Sequence, residues 1–492
     1  MSLYENLLTY EPQESTSKTK RTRSTQIIAT INEMTTEIEA MNLASQGVNI
    51  ACFPVDEQSD GEKIKTAFEI VKKGTGDYIQ NRCNIIKGKL APKDQNSFKC
   101  TPVHVATALD IKGSYLQTGK FAQPAIFQNE VTLTNNESEK DNCNNLSVFI
   151  DFPELSSLPE DQIVVLGEGS EQVWLKVISQ ENDGTLKAST EKTGKLDAQE
   201  SHRVVLRGAK FQLPGIIDKV MQWVDFCKNE KIDMIFVPVS DAKTFLQIVC
   251  MINADESGAK LKIIAKLEGQ DAVDNVELIN TKADGVMFPR QKLSEVIKLE
   301  EQLIIHQKNV IAKCLKCGVP SIVANDLLKT METAEEATRA EMADVFNAVL
   351  DGADCTMLDQ KKVTHEMVNN ITQIIVEAED IINYRRLNRE LLSQVAISTK
   401  KVTEDNTETI AIAACTAAMI NDSKAIIVLT DNGKTIPKIS KFRPECPIIA
   451  VADDEAVARQ CLLNRGVYAV VHGKIISKIM NFLLSILFRT KD

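Results

Sequence analysis

Few residues in this 492-residue chain are spaced for chemistry, and the clearest pair is Lys266 with Glu268 in the run Lys262-Ile263-Ile264-Ala265-Lys266-Leu267-Glu268. Two positions apart on an extended strand, a cation and a carboxylate share one face, and a salt bridge inside the fold is the plainest use of them. A second stretch, Thr430-Asp431-Asn432-Gly433-Lys434-Thr435, joins an apolar run to a helix-like segment. Backbone amides and hydroxyls at such a junction suit a phosphate, and an ordinary strand-to-helix turn uses the same residues. Cys314 and Cys317 form a C-x-x-C, but no second pair or nearby histidine completes a zinc set. With Gly318 and Pro320 behind it, that motif reads as a helix end. The five histidines, His104, His202, His306, His365 and His472, lack metal-ligand spacing.

The elements that must position these residues alternate. Eight β-branched apolar runs predict strands at Gln26 to Ile31, Asn49 to Pro54, Val103 to Leu109, Asp233 to Pro238, Leu261 to Leu267, Asp284 to Phe288, Pro320 to Val323 and Asp354 to Met357. Helical periodicity follows most of them, at Met34 to Gln46, Glu62 to Lys73, Ala242 to Ile252, Ala272 to Asn280, Leu293 to Cys317, Thr338 to Leu350 and His365 to Ile382. Such a series predicts a closed (β/α)8 TIM barrel, because parallel strands need helical crossovers and strands buried on both faces read as continuous Val/Ile/Leu runs. Between Asp110 and Pro214 the pattern turns to short strands rich in Asn, Ser, Gly and acidic residues, too long for a loop, which predicts an inserted β domain. Beyond Tyr384 a fresh alternation predicts a C-terminal α/β domain, with a helix Glu404 to Ile420, strands Ala425 to Leu429, Pro447 to Val451 and Val467 to Val471, and a helix Glu455 to Asn464. The expected division is a polar tail over 1–20, a barrel over 21–111 and 213–384, the insertion over 112–212, and the C-terminal domain over 385–492.

Composition narrows the partners. Fifty-seven Lys and Arg against 68 Asp and Glu give a net charge of -11, which offers no basic surplus for nucleic acid. The apolar stretch Ile479 to Phe488 is broken by Asn481 and Ser485 and is shorter than the roughly 20 residues of a membrane span. The N-terminus lacks the apolar core of a signal peptide, so the expected compartment is cytoplasmic. Twelve scattered cysteines, mostly within apolar runs, indicate no disulfide framework.

Several motifs in order then carry a resemblance: Leu109-Asp110-Ile111-Lys112-Gly113, the Lys262 to Glu268 run, Ala283-Asp284-Gly285-Val286-Met287, Thr338-Arg339-Ala340-Glu341, Asn347 to Cys355, and Ala425 to Thr430. From about Arg21 to about Gly473 the chain resembles the pyruvate kinase family. The resemblance implies phosphoryl transfer between phosphoenolpyruvate and ADP with magnesium and potassium, and assembly as a homo-oligomer such as a tetramer or as a hetero-oligomer with related subunits.

The resemblance also implies roles for single positions. Lys266 matches the lysine that stabilises charge on the transferring group, Glu268 a magnesium ligand, Asp110 a potassium ligand and Arg290 a substrate-binding arginine. Thr430, Asn432, Gly433, Lys434 and Thr435 match an effector loop for a sugar bisphosphate. Other positions depart from the family pattern. Its second magnesium carboxylate is Lys292 here, its phosphate arginine is Cys52, its potassium Asn and Ser are Pro54 and Asp56, a threonine is Ile111, and the proton-delivering threonine is Asn325. Exchanging a carboxylate for an ammonium turns an attraction of about 4 kcal/mol at 4 Å into a repulsion of like size at an effective dielectric of 20. An ion pair of Lys292 with Glu268 is the expected substitute. These departures predict a family member whose reaction is strongly impaired or lost, with a structural or regulatory role beside active relatives. The alternatives are an active enzyme with rearranged ligands and a non-catalytic sugar-phosphate-binding or assembly protein. The tail after Ile475 is expected to fall outside the resemblance, leaving a C-terminal domain shorter than the family's.

Overall fold

The computed structural model describes residues 23–32, 35–56, 59–89, 101–103, 105–113, 116–167, 172–181, 184–207, 216–254, 261–297, 300–397 and 406–472. The polar tail over 1–20 and the segment from Ile475 lie outside them, as does His104.

Eight parallel strands close a barrel: Gln26–Thr30, Ile50–Val55, Ala106–Ile111, Met234–Val239, Lys262–Leu267, Gly285–Pro289, Ser321–Ala324 and Cys355–Leu358, numbered one to eight below. Nearly every strand residue is buried, as a sheet covered on both faces requires. Alternation divides them. Ile27, Ala51, Leu109, Ile235, Ile263 and Val286 pack outward against the helices, while Ile28, Ile50, Ala108, Phe236, Ile264 and Met357 fill the interior.

The interior core continues without a break into the C-terminal domain, joining Phe442, Leu462, Leu463 and Val467. That domain is seated on the N-terminal ends of the barrel strands. Gln26 donates through Nε2 to the carbonyls of Asn464 and Val467, both at 3.0 Å. Three buried acids at this end are each met by an arginine: Asp354 by Arg443 at 2.6 Å, Asp233 by Arg459 at 2.9 Å and Glu379 by Arg465 at 3.4 Å.

The insertion between strand three and the helix Ile216–Glu230 forms a seven-stranded sheet around its own core of Phe121, Phe127, Leu133, Leu166 and Leu175. Bridges between Thr118 and Ile150 and between Phe121 and Cys143 bring its two edges together.

The expected class holds, and several local expectations are corrected. The run expected as one strand from Val103 divides: Thr101–Val103 pairs antiparallel with Val467–Val471 at the edge of the C-terminal sheet, and the barrel strand starts at Ala106. Pro102 is tolerated there because an edge strand can spare a donor. The helix expected to stop at Lys73 runs Gly61–Lys89. Gly74 lies inside it and serves close packing: a Cβ there would lie 2.5 Å from the Glu37 carbonyl of the neighbouring helix Glu37–Gln46. The segment from Leu293 to Cys317 is two helices, Arg290–Val296 and Leu303–Cys317, and that from Ala272 to Asn280 is likewise two, Gln270–Asp274 and Val276–Ile279. Ile216–Glu230 and Tyr384–Ile397 are additional helices. No helix among the described residues is long and apolar enough to cross a membrane.

The Asp354–Arg443 pair ties barrel to C-terminal domain with both side chains buried. Arg443→Met strands a buried carboxylate and is expected to cost about 3 kcal/mol or more in urea unfolding. Adding Asp354→Asn should recover part of that loss. A single-variant cost within about 0.5 kcal/mol of zero would show that the pair is not a structural tie.

Candidate active site

Strands three and five bring Asp110, Lys266 and Glu268 together at the C-terminal end of the barrel, the end at which function in such barrels is carried. Lys266 is 5% exposed. Its Nζ donates to Asp110 Oδ1 at 2.6 Å and to the Ile111 carbonyl at 2.7 Å, and Glu268 Oε1 stands 3.3 Å away. Burial pulls its pKa down, but Asp110 and Glu268 outweigh burial and hold it above the ordinary lysine value. An ammonium has three donors, and three oxygens surround this one.

Glu268 is placed from two sides. Its amide donates to the Val239 carbonyl at 2.8 Å, and its Oε2 lies against Gly113, where an added Cβ would come within 1.9 Å. Glycine at 113 is therefore what lets strand three approach the carboxylate.

Strand two contributes little polarity. Cys52 is fully buried in the interior, and burial, helped by Asp110, pushes its thiol well up. Pro54 is the cross-strand neighbour of Asp110. Asp56 leaves the barrel, with Lys112 Nζ at 3.6 Å and the Ser59 hydroxyl donating to it at 2.8 Å.

Arg290 and Lys292 follow strand six, and Asn325 follows strand seven. Arg290 opens the helix Arg290–Val296 and clamps the next loop: Nε and Nη2 donate to the Asn325 carbonyl at 3.1 and 2.8 Å, and Nη1 to Asp344 Oδ2 at 2.6 Å. Asn325 adopts a left-handed φ of 69° and donates through Nδ2 to Asp359 Oδ2. Burial raises the Asp359 pKa despite that bond, and Asp326 adds to the rise. Lys292 is half-buried. Burial and the nearby Arg203 lower its pKa, while Glu268 and Glu295 favour its charge.

The Thr430–Thr435 loop lies in the C-terminal domain and caps itself. Gly433, at φ 74°, donates its amide to Thr430 Oγ1 at 2.9 Å, and Lys434 donates to Asn432 Oδ1 at 3.0 Å. Thr435 begins the short helix Thr435–Ser440.

Two arginines join the site to the insertion: Arg207, which stands where the resemblance puts a hinge proline, and Arg203, which sequence reasoning passed over. Arg203, on the insertion strand Ser201–Arg207, meets Glu295 of the helix Arg290–Val296 at 2.6 Å, and Arg207 Nη2 donates to the Ser294 carbonyl at 3.2 Å. Arg203 precedes the buried run Val204 to Leu206 with no motif to mark it.

A closed parallel barrel, an inserted β domain after strand three, a C-terminal α/β domain and a Lys-Glu-Asp constellation at the strand ends define the class. Comparison with known proteins completes the assignment. Residues 22–366 match the family model "Pyruvate kinase, barrel domain" and residues 408–490 match "Pyruvate kinase, alpha/beta domain". The chain is 33% identical over 394 residues to a pyruvate kinase of Candida albicans, covering 78% of this chain and 75% of that one. It is 32% identical over 464 residues to one of Agaricus bisporus, covering 92% and 81%. It is 31% identical over 458 residues to pyruvate kinase 2 of Saccharomyces cerevisiae, covering 92% and 84%. The chain belongs to the pyruvate kinase family. The second match passes Gly473, so the segment from Ile475, expected to fall outside the resemblance, lies mostly inside it.

The raised Asp359 predicts a pH effect. A carboxyl whose folded pKa exceeds its unfolded value binds a proton on folding, so its contribution is complete below the ordinary aspartate value of about 4 and is lost as pH rises through the raised value. Asp359→Asn should flatten that decline in thermal midpoint and be neutral or stabilising at pH 7. An unchanged profile would show that Asp359 does not titrate across that window.

Proposed function

We propose that this pyruvate kinase family member has little or none of the family's phosphoryl transfer from phosphoenolpyruvate to ADP. The carrying observation is Lys266, whose ammonium faces Asp110, Glu268 and the Ile111 carbonyl. A lysine that stabilises a transferring phosphoryl group must keep a donor directed at the position where charge develops. Here the donors are directed at the protein.

The family's cations meet a donor set that does not fit them. Magnesium prefers about six oxygens in near-ideal octahedral geometry. Glu268 and Asp110 both neutralise Lys266, and Lys292 stands in the field of Glu268. Among the described residues no three His, Cys, Asp or Glu side chains are grouped to hold a metal. The side chains of Cys52 and Pro54 offer no hard oxygen to potassium. No catalytic step is therefore routed through either ion. Loss of several electrostatic contacts worth about 3 kcal/mol each removes many orders of magnitude in rate, even allowing for non-additivity. The role this leaves is structural or regulatory, in association with active relatives, and the intact framework around the site supports it.

The deciding experiment is a coupled assay with phosphoenolpyruvate, ADP, magnesium and potassium, run on the chain alone and mixed with an active relative. No turnover alone is expected, together with a changed rate or regulation of the relative. Turnover by the chain alone in the ordinary enzyme range of about 1 to 1000 per second would overturn the reading.

A further inference from the structure

At the end of the barrel opposite Lys266, where the C-terminal domain is seated, the two bodies do not close completely. A cavity of about 60 Å3 remains between the turn after the helix Arg339–Leu350, the end of the helix Leu303–Cys317, the start of the helix Tyr384–Ile397, and Arg443 and Arg465 of the C-terminal domain. One water needs roughly 10 to 15 Å3 on the same scale, so the space takes an organic group of about five to seven non-hydrogen atoms. Leu315, Leu350, Ile382 and Leu387 give it apolar walls, and the exposed Asn347 and Asn383 stand at its rim. The charges around it are already matched. Asp351 Oδ1 accepts from Lys308, Arg443 donates to Asp354 at 2.6 Å and to the Gly352 carbonyl at 2.9 Å, and Arg465 donates through Nη1 to the carbonyls of Val349 and Ala353, both at 3.1 Å. Two buried polar atoms are left over among the described residues. Asp351 Oδ2 has no donor, and Nη2 of Arg465, a residue only 4% exposed, has no acceptor in line, Glu379 Oε1 lying 3.4 Å away outside hydrogen-bond geometry. Buried polar atoms are almost always paired, and here an acceptor and a donor without partners belong to two residues that line one apolar space.

We propose that this cavity binds a small neutral molecule, an apolar body carrying a carboxamide that accepts from Arg465 and donates to Asp351. A carboxamide puts an acceptor and a donor on one planar group, which is what the two orphaned atoms require together. Neutrality follows from the pairing of the lining charges: an added anion would meet Asp351 and Glu379, and an added cation would meet Arg443 and Arg465, with no free counter-charge for either. Because the walls come from the barrel and from the C-terminal domain, the bound molecule stabilises their docked arrangement. The site does not depend on whether the Lys266 end turns over.

Three probes with the same branched apolar end test this: isovaleramide, isovalerate and isoamylamine, each titrated into the full chain with binding read by ligand-observed nuclear magnetic resonance. Isovaleramide should bind one to one with a dissociation constant of about 1 mM or below, in keeping with its size, and should raise the thermal midpoint. The anion and the cation should bind at least about tenfold more weakly. Leu387→Trp fills the cavity without removing a polar group and should abolish binding. Asp351→Ala removes the orphaned acceptor and should weaken binding about tenfold or more. If Asp351→Ala fails to fold by circular dichroism, Leu387→Trp and the comparison of the three probes on the wild type decide the matter. No saturable binding of isovaleramide below about 50 mM would overturn the proposal, as would binding that Leu387→Trp leaves untouched. Isovalerate or isoamylamine binding as tightly as the amide would overturn the neutral ligand.

Discussion

The buried ammonium of Lys266 is the interaction around which the C-terminal end of the barrel is arranged. Taking such a charge out of water costs several kcal/mol unless carboxylates and hydrogen bonds replace the lost hydration. Asp110 and the Ile111 carbonyl from strand three, with Glu268 beyond strand five, supply that replacement. Once they converge, the rest is constrained. Strand three must pass close to Glu268, only glycine fits at 113, and Cys52 is left in a dry interior where its thiol stays protonated.

The two ends of the barrel spend charge differently. At the N-terminal ends of the strands, Asp354, Asp233 and Glu379 each have an arginine partner from the C-terminal domain, and the apolar interior runs straight through to Leu462 and Leu463. Those pairs join two bodies, as befits the stability end of such a fold. At the C-terminal ends, charges belong to loops and to the insertion, where Arg203 reaches Glu295 and Arg290 clamps the Asn325 carbonyl. Substitutions on that side change chemistry before they change the fold.

Much of this was legible in the sequence, for reasons that also mark the limits. Strands buried on both faces appear as unbroken apolar runs, so all eight barrel strands were placed to within a residue or two apart from the third. That strand was misjudged because Thr101–Val103 belongs to another sheet, a pairing with Val467–Val471 that no local pattern encodes. The helix from Gly61 was expected to end at Lys73, yet it runs on through Gly74, where the glycine lets two helices touch. At the site, the spacing of Lys266 and Glu268 was enough to put them on one face. Their partner Asp110 required the fold, and the clamp of Arg290 on Asn325 and Asp344 required the loop geometry.

Retention of Lys266, Glu268 and Asp110 is therefore weak evidence for catalysis. In a dry barrel these three cannot be lost one at a time: removing the lysine strands two buried carboxylates, and removing either carboxylate leaves the ammonium short of a partner. A chain released from phosphoryl transfer would still be held to this triad by its own folding. Positions around it carry no such penalty. Pro54 presents an apolar side chain beside Asp110, the Asn325 amide donates to Asp359, and Glu268 and Glu295 favour the charge of Lys292. The physical cost of change is enough to hold Lys266, Glu268 and Asp110 together, whatever chemistry the barrel mouth performs.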